Sequence, residues 1–193
     1  MLWLLLTPLL AGSAGDLTLS LGGGYQGEAD PQQRAHRAQL GLGLDAAFNN
    51  RGRLLLRTRY SQLLYQESLD ARVAPVAMSH NGLDLSAGAV VLIDRLPGVE
   101  PLLLVELSGG YHPLAAAPAR TGWAPQLRAG AAVGVGADVL LGGGWILGVV
   151  ARYSLNNTME GWMQSVQPAS GLALEVSVGY RLQVGRTVDE KKL

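Results

Sequence analysis

The sequence lacks several features that mark common classes of protein. It contains no cysteine, which excludes disulfides, thiolate metal sites, cysteine nucleophiles and lipidation at an N-terminal cysteine. Lysine occurs only at Lys191 and Lys192, whereas a soluble domain normally scatters lysine over its surface. Charged residues make up 16% of the chain and the formal net charge is zero. Nucleic acid is therefore not an expected partner, because its phosphates require a concentrated basic surface.

Long apolar runs are also missing beyond the N-terminus, so no membrane helix is expected there. Residues 1–15 are predicted to form a secretory signal peptide, with an apolar core followed by the small residues Ala11, Gly12, Ser13 and Ala14. A buried N-terminal helix or a membrane anchor is the alternative for this stretch. The chain of 193 residues is otherwise expected to form one domain.

Residues 170–184 carry the clearest pattern in the chain. Apolar residues alternate there with small or polar residues, and a period of two indicates a β-strand with one apolar and one polar face. The length suits a tilted strand that crosses a bilayer. Seven earlier segments repeat the alternation, with approximate bounds at 17–25, 37–48, 53–64, 83–93, 103–111, 123–136 and 145–155.

The connections between these segments alternate between long and short. Turn residues mark the short ones, at 49–52, at 95–98 and from about Asp138 to the glycines at 142–144, while 26–35, 65–81, 112–122 and 156–169 are predicted as long loops. Outer-membrane barrels have this asymmetry. The predicted fold is all-β, a closed eight-stranded antiparallel up-and-down transmembrane β-barrel over 16–184, followed by a periplasmic tail at 185–193.

The polar face of the segments is predicted to line the lumen, because it is rich in glycine and carries charges of both signs that can pair. A lipocalin-like barrel with the apolar face inward is the alternative. The lumen ion pairs are expected among Arg37, Arg57, Arg59, Arg128, Arg152, Arg181, Asp45, Asp84, Glu106 and Glu175. Eight strands favour a plugged lumen, and the excess of arginine leaves open a narrow, porin-like pore with weak anion preference.

Aromatic residues on the apolar face lie near the segment ends. Tyr25, Tyr60, Tyr111, Trp123 and Tyr153 are expected on the long-loop side, and Phe48, Trp145 and Tyr180 on the short-turn side. Two aromatic girdles that flank an aliphatic band are typical of a membrane barrel.

The spacing Ser177-x-Gly179-x-x-Leu182-x-Val184 resembles the closing-strand signal of bacterial outer-membrane barrels, in which the last position is usually aromatic. The whole mature chain resembles the small eight-stranded OmpA/OmpX-type barrels. The resemblance implies a place in the outer membrane of a Gram-negative envelope, in contact with membrane lipid and lipopolysaccharide. It also implies that the outer-membrane assembly machinery recognises the closing strand.

The motif that would suggest soluble enzyme chemistry lacks the structural context that it requires. Gly41-x-Gly43-x-x-Ala46 matches a dinucleotide fingerprint, but it lies within a predicted strand that leads into a hairpin. No cofactor is expected. A metal site is not expected either, since no two histidines have ligand spacing within one element.

Three histidines provide the candidates for catalysis. Some outer-membrane barrels are lipid A acylases or deacylases that use a histidine with a serine and an acid, and His36, His80 and His112 all fall near the long-loop side. Ser61, Ser79, Ser108 and Ser154 are the candidate nucleophiles, and Asp84 and Glu67 the candidate acids. The sequence favours a non-enzymatic barrel, structural or adhesive, that binds an extracellular partner through its outer loops. A lipid-modifying enzyme and a narrow pore are the alternatives.

Overall fold

The computed structural model describes residues 16–29, 33–49, 51–68, 81–93, 96–114, 124–160 and 164–183. The strands are β1 (Asp16–Ala29), β2 (Gln33–Ala47), β3 (Gly52–Ser68), β4 (Asn81–Leu92), β5 (Val99–Leu114), β6 (Ala124–Gly142), β7 (Trp145–Glu160) and β8 (Gln164–Gln183). Each strand pairs antiparallel with the next, and β1 pairs with β8 to close the barrel. The predicted closed, eight-stranded, all-β architecture is confirmed. In the described ranges no helix is long and apolar enough to span a membrane.

The two faces of each strand differ in the direction that the alternation predicts. On β5, Leu107 is 68% exposed whereas its neighbour Glu106 is 1% exposed. The same alternation places most of the large leucine and valine side chains of the other strands outward, and it places the strand arginines other than Arg34 inward. The arrangement is the opposite of a lipocalin-like barrel, whose apolar face points inward.

One end of the barrel carries the connections 30–32, 69–80, 115–123 and 161–163, and we call it the loop end. The strands extend further there than the sequence predicts. The connection predicted at 26–35 spans only 30–32, and the one predicted at 156–169 spans only 161–163. In these extensions the ladder continues, for example between Glu28 and Ala35 and between Asn157 and Pro168. Hydropathy alternation misses such strands because polar residues occupy both faces.

The opposite end, which we call the turn end, contains the short connections and chain positions 16 and 183. The β2–β3 turn is closed by a hydrogen bond from Phe48 N to Gly52 O at 3.1 Å. Asp138, predicted to lie in a turn, is inside β6, which continues to Gly142. The β6–β7 turn follows at Gly142, Gly143 and Gly144, whose φ angles of 85°, 59° and 88° favour glycine.

One wall of the lumen near the turn end is apolar. The apolar cluster, as we call it, has buried side chains from β3, β4, β5 and β7, namely Leu55, Val90, Leu92, Leu102, Leu104 and Val150. The remaining inward positions are mainly polar or glycine. The barrel interior therefore combines a small hydrophobic core with a larger charged region.

Candidate functional site in the charged lumen and at its rim

Four charged side chains form the turn-end quartet, Arg53, Glu100, Asp138 and Arg181. Arg53 donates from NH1 to Asp138 Oδ2 at 2.7 Å and from NH2 to Glu100 Oε2, and Arg181 NH2 donates to the same Glu100 oxygen at 2.7 Å. Arg181 is among the predicted lumen residues, whereas the two carboxylates are not. Both carboxylates lie just outside the predicted strands, Glu100 before the segment 103–111 and Asp138 after the segment 123–136.

Halfway along the lumen lies the central cluster, Arg57, Arg59, Arg152, Glu106 and Glu175, all of them predicted lumen residues. Glu106 accepts hydrogen bonds from Arg59 NH2 at 2.8 Å and from Arg152 NH1 at 2.9 Å. Arg59 Nε also donates to Glu175 Oε2 at 3.2 Å. Arg57 NH1 lies 3.4 Å from Glu175 Oε1 and 3.8 Å from Glu106 Oε1. The two carboxylates are thus shared among three arginines.

Nearer the loop end, Glu28 is the centre of a second network, the loop-end network, with Gln26, Arg37, Gln39 and Arg128. Glu28 accepts from Gln26 Nε2 at 2.8 Å, from Arg37 Nε at 3.3 Å and from Arg128 NH2. Gln39 Nε2 donates to Gln26 Oε1. The sequence predicts Arg37 and Arg128 but misses Glu28, because residue 28 falls in the predicted loop.

Asp45 and Asp84, the remaining predicted lumen residues, differ in their surroundings. Asp84 Oδ1 lies 3.0 Å from His112 Nε2. Asp45 is buried, its Oδ1 has no hydrogen-bond partner, and it makes no ion pair with any described residue. Asp45 is therefore the lumen carboxylate whose charge is least compensated.

The balance of lumen charge differs from the prediction. Besides the predicted set, the inward face holds one more arginine, Arg53, and three more carboxylates, those of Glu28, Glu100 and Asp138. Among the described residues from Thr18 to Arg181, inward arginines and inward carboxylates are then equal in number. Within this described range there is no excess of arginine of the kind that suggested anion preference in a pore.

A small cavity lies between the central cluster and the loop-end network. Its volume is about 20 Å³, and its lining includes Arg59, Asp84, Arg128, Arg152 and Ser154. Arg128 and Arg152 both line it, and the Nε–H of each is buried without a hydrogen-bond partner in the described part of the chain. Buried donors of this kind are normally satisfied by protein, water or an ion.

The histidines do not meet at one site. His36 faces outward, where the Tyr25 hydroxyl contacts its Nδ1 and its ring stacks on Tyr65 with centroids 4.0 Å apart. Its Nε2 lies 3.9 Å from Glu67 Oε1. His112 is inside the lumen and His80 lies outside the described residues. The two described histidines are therefore on opposite faces of the barrel wall.

The candidate serines are not arranged as nucleophiles beside these histidines. Ser61 Oγ is buried without a partner, and Ser154 Oγ donates to Gly171 O at 3.4 Å. Ser108 lines the cavity, and Ser79 lies outside the described residues. Within the described ranges no serine hydroxyl is hydrogen-bonded to a histidine. No group of potential metal ligands occurs in the same ranges.

Most predicted girdle residues are exposed on the outer surface. Those at the loop end are Tyr25, Tyr60, Tyr111 and Tyr153, each of them exposed. At the turn end, Trp145 and Tyr180 are exposed and pack edge to face with ring centroids 5.2 Å apart. Phe48 is half-buried in the β2–β3 turn, and Trp123 lies outside the described residues.

Comparison with known proteins gives structural but not sequence relatives. No protein-family model matches the sequence. No curated protein matches it. Neisserial surface protein A (NspA) is similar in structure, with a TM-score of 0.66 and 14% identity over 86% of this chain and 97% of that one.

Two further solved structures are also similar to this chain. OprG from Pseudomonas aeruginosa has a TM-score of 0.56 and 13% identity, over 90% of this chain and 98% of that one. Ail, the attachment invasion locus protein of Yersinia pestis, has a TM-score of 0.51 and 13% identity, over 87% and 99%. The resemblance to the small eight-stranded outer-membrane barrels is confirmed at the level of the fold.

Proposed function

We propose that this chain is an integral outer-membrane β-barrel with a plugged, ion-paired lumen and a structural or adhesive role. The observation that carries the proposal is the inverted distribution of side chains, with most leucine and valine outward and paired arginines and carboxylates inward. A continuous apolar band would make a soluble protein aggregate. In a bilayer the same band matches the hydrocarbon, and closure of the sheet leaves no unpaired edge in lipid.

The cross-lumen ion pairs support a plug rather than a pore. Arg57 and Glu175 join β3 to β8, Arg152 and Glu106 join β7 to β5, and Arg128 and Glu28 join β6 to β1. None of these strand pairs are neighbours in the sheet. Such bridges fill the interior of a barrel that eight strands make only wide enough for side chains.

The elongated loop end supports a binding role. β7 continues past Tyr153 to Glu160 and pairs there with β8, so the hairpin projects beyond the aromatic girdle. Ail, one of the proteins with this fold, is described as an attachment invasion locus protein, and a structure of it holds the heparin analogue sucrose octasulfate. We therefore expect an extracellular partner at the loop end, with lipopolysaccharide around the outer rim.

Localisation provides the first test. The full chain, expressed in a Gram-negative host, should fractionate with the outer membrane, require detergent for extraction and give a β-type circular dichroism spectrum. A protein that stays soluble without detergent would contradict the proposal. We also expect the assembly machinery to recognise β8, so truncation before residue 164 should leave the chain unfolded in the periplasm.

Conductance separates the plug from the pore. Purified barrels inserted into planar bilayers should give no steady channels, because the central cluster crosses the lumen. Steady unitary currents proportional to the amount of inserted protein would favour the narrow pore instead.

A lipid-modifying enzyme remains the second candidate, favoured by the outward position of His36 next to the Tyr25 hydroxyl and Glu67. Incubation with lipopolysaccharide would then release or transfer an acyl chain. Changing His36, His80 and His112 to Ala one at a time would identify the catalytic group. Absence of acyl release by the wild type would leave the non-enzymatic function.

A further inference from the structure

The outer surface of the strands carries charge at one place. Apart from the imidazole of His36, the ionisable acid and base groups that the described strand side chains turn outward are those of Arg34 and Glu67, and both side chains are at least half exposed. Arg34 on β2 pairs with Glu67 on β3 at the loop end. A cation and an anion therefore lie side by side on the outside of the barrel wall.

The two charged groups are not joined by a hydrogen bond. Arg34 NH1 lies 3.8 Å from Glu67 Oε1, and His36 Nε2 lies 3.9 Å from the same oxygen, and both distances are longer than a hydrogen bond. Neither Arg34 nor Glu67 has a hydrogen bond to another side chain in the described part of the chain. The guanidinium and the carboxylate therefore keep their hydrogen-bonding capacity for a ligand from outside.

Aromatic rings lie beside this charge pair. The ring of His36 stacks on Tyr65 with centroids 4.0 Å apart, and its centroid is 5.8 Å from that of Tyr25. Tyr25 is 45% exposed and Tyr65 is 53% exposed. An exposed tyrosine ring offers an apolar surface and attracts an ammonium group to its face. We call Tyr25, Arg34, His36, Tyr65 and Glu67 the outer patch.

A shallow apolar groove lies next to the outer patch, on the outer face of β1. Gly23 and Gly27 occupy outward positions on either side of Tyr25, and a Cβ would meet nothing within 4 Å at Gly27 and only Gln39 O, at 3.5 Å, at Gly23. The strand neighbours of Gly23 are Leu40 on β2 and Val176 on β8, both exposed. These side chains form the sides of the groove, on the part of the surface that hydrocarbon covers in the proposed function.

The charge pair and the groove together select a class of ligand. A complementary molecule carries an anion and a cation close together and has an apolar chain. A phospholipid with a phosphoethanolamine headgroup has this combination, with a phosphate for Arg34 and an ammonium for Glu67 and the face of Tyr65. Anionic phospholipids and lipopolysaccharide carry phosphate without that balance of charge, and Glu67 repels them.

We propose that the outer patch and the groove bind one phospholipid with a phosphoethanolamine headgroup. The phosphate accepts hydrogen bonds from Arg34, the ammonium donates to Glu67, and one acyl chain lies along Gly23. The inference rests on the proposed place of the barrel in the outer membrane. Lipopolysaccharide contacts the remainder of the outer rim.

Lipid competition tests the site. The full mature chain, folded in a nonionic detergent, is mixed with equal amounts of phosphatidylethanolamine and phosphatidylglycerol that have the same acyl chains, and native mass spectrometry counts the lipids retained. One phosphatidylethanolamine should be retained in preference to phosphatidylglycerol. Equal retention of the two lipids, or displacement by an equal amount of lipopolysaccharide, would overturn the proposal. A β-type circular dichroism spectrum of the same sample shows that the barrel has folded, so this result is separate from the test of the proposed function.

Matched variants separate the site from general lipid contact. Glu67→Gln should reduce the preference for phosphatidylethanolamine by about five-fold, the effect of one partly exposed ion pair. Arg34→Gln should weaken retention of both lipids, because both carry a phosphate, whereas Arg51→Gln at an exposed arginine of the turn end should change neither. Gly23→Leu fills the groove and should weaken retention, and Gly109→Leu on the outer face of β5 is its control. An unchanged preference in Glu67→Gln, or equal effects of the two glycine variants, would refute the site.

Discussion

The two halves of the lumen are built differently. Towards the turn end, the apolar cluster covers one wall and the turn-end quartet lies beside it, with Arg53 and Arg181 both on Glu100. Towards the loop end, the interior consists of shared ion pairs, amide side chains and a cavity. The turn-end half therefore combines hydrophobic packing with four paired charges, whereas the loop-end half contains mainly charged and amide side chains.

Because of this difference, we expect different interactions to stabilise the two halves. A hydrophobic cluster tolerates the loss of one side chain at a cost set by the cavity that remains. A buried charge network tolerates loss of a member less well, because each unpaired partner stays buried as an ion. Substitutions in the two halves should therefore differ in magnitude as well as in mechanism.

The largest effect is expected for Glu106→Gln in the central cluster. Glu106 pairs with Arg59, Arg152 and Arg57, so its neutralisation leaves buried arginines short of a counter-charge and should cost about 3–5 kcal/mol of unfolding free energy. Urea titration in lipid vesicles measures the change. Glu67→Gln is the matched control, since Glu67 is half exposed and the same substitution there should cost less than about 1 kcal/mol. Equal losses of unfolding free energy for the two variants would show that lumen charges contribute no more to stability than surface charges.

The next effect tests the apolar half. Leu104→Ala in the apolar cluster should lower the unfolding free energy by about 2–4 kcal/mol, because it removes buried contacts and leaves a void. Leu107→Ala, three residues along the same strand, removes the same atoms from the outward face. Its cost should be smaller, since lipid can fill the space. A larger loss at Leu107 than at Leu104 would contradict a packed interior.

A smaller effect is expected from backbone crowding on β4. A Cβ at Gly88 would contact Val105 O and lie 2.9 Å from Glu106 Cα, both on the neighbouring strand. Gly88→Ala should therefore cost about 1–3 kcal/mol through strain. Gly109→Ala has only a contact of 3.9 Å to Arg128 O and should be neutral. Equal unfolding free energies for the two variants would show that β4 and β5 can separate without cost.

The sequence predicts the barrel and the inward faces well because lipid and lumen impose a period of two on every strand. The alternation does not predict the strands near the rims, where the two faces of a strand no longer meet lipid on one side and the lumen on the other. Glu28, Glu100 and Asp138 lie at strand positions near the two rims, where hydropathy does not distinguish a strand from a turn. These residues are the carboxylates that balance the predicted arginines.

Sequence spacing also does not predict which charged residues pair with each other across the lumen. Arg57 and Glu175 are 118 positions apart, and Arg53 and Asp138 are 85 apart. Their proximity depends on the registers of all the strands between them. The faces of the two described histidines, by contrast, follow from the alternation on each strand. His36 precedes the inward Arg37 and therefore faces outward, whereas His112 is an even number of positions from the inward Glu106 and faces the lumen.

The smallest effect is expected at Asp45, the lumen carboxylate without an ion pair among the described residues. Asp45→Asn makes the same carboxylate-to-amide change as Glu106→Gln, but it leaves no arginine without its ion-pair partner. Burial of the charge is already unfavourable there, so the variant should be as stable as the wild type or more stable by up to about 1 kcal/mol. Urea titration of the two variants under identical conditions compares them directly. A loss at Asp45 as large as that at Glu106 would mean that ion pairing does not determine which lumen charges stabilise the barrel.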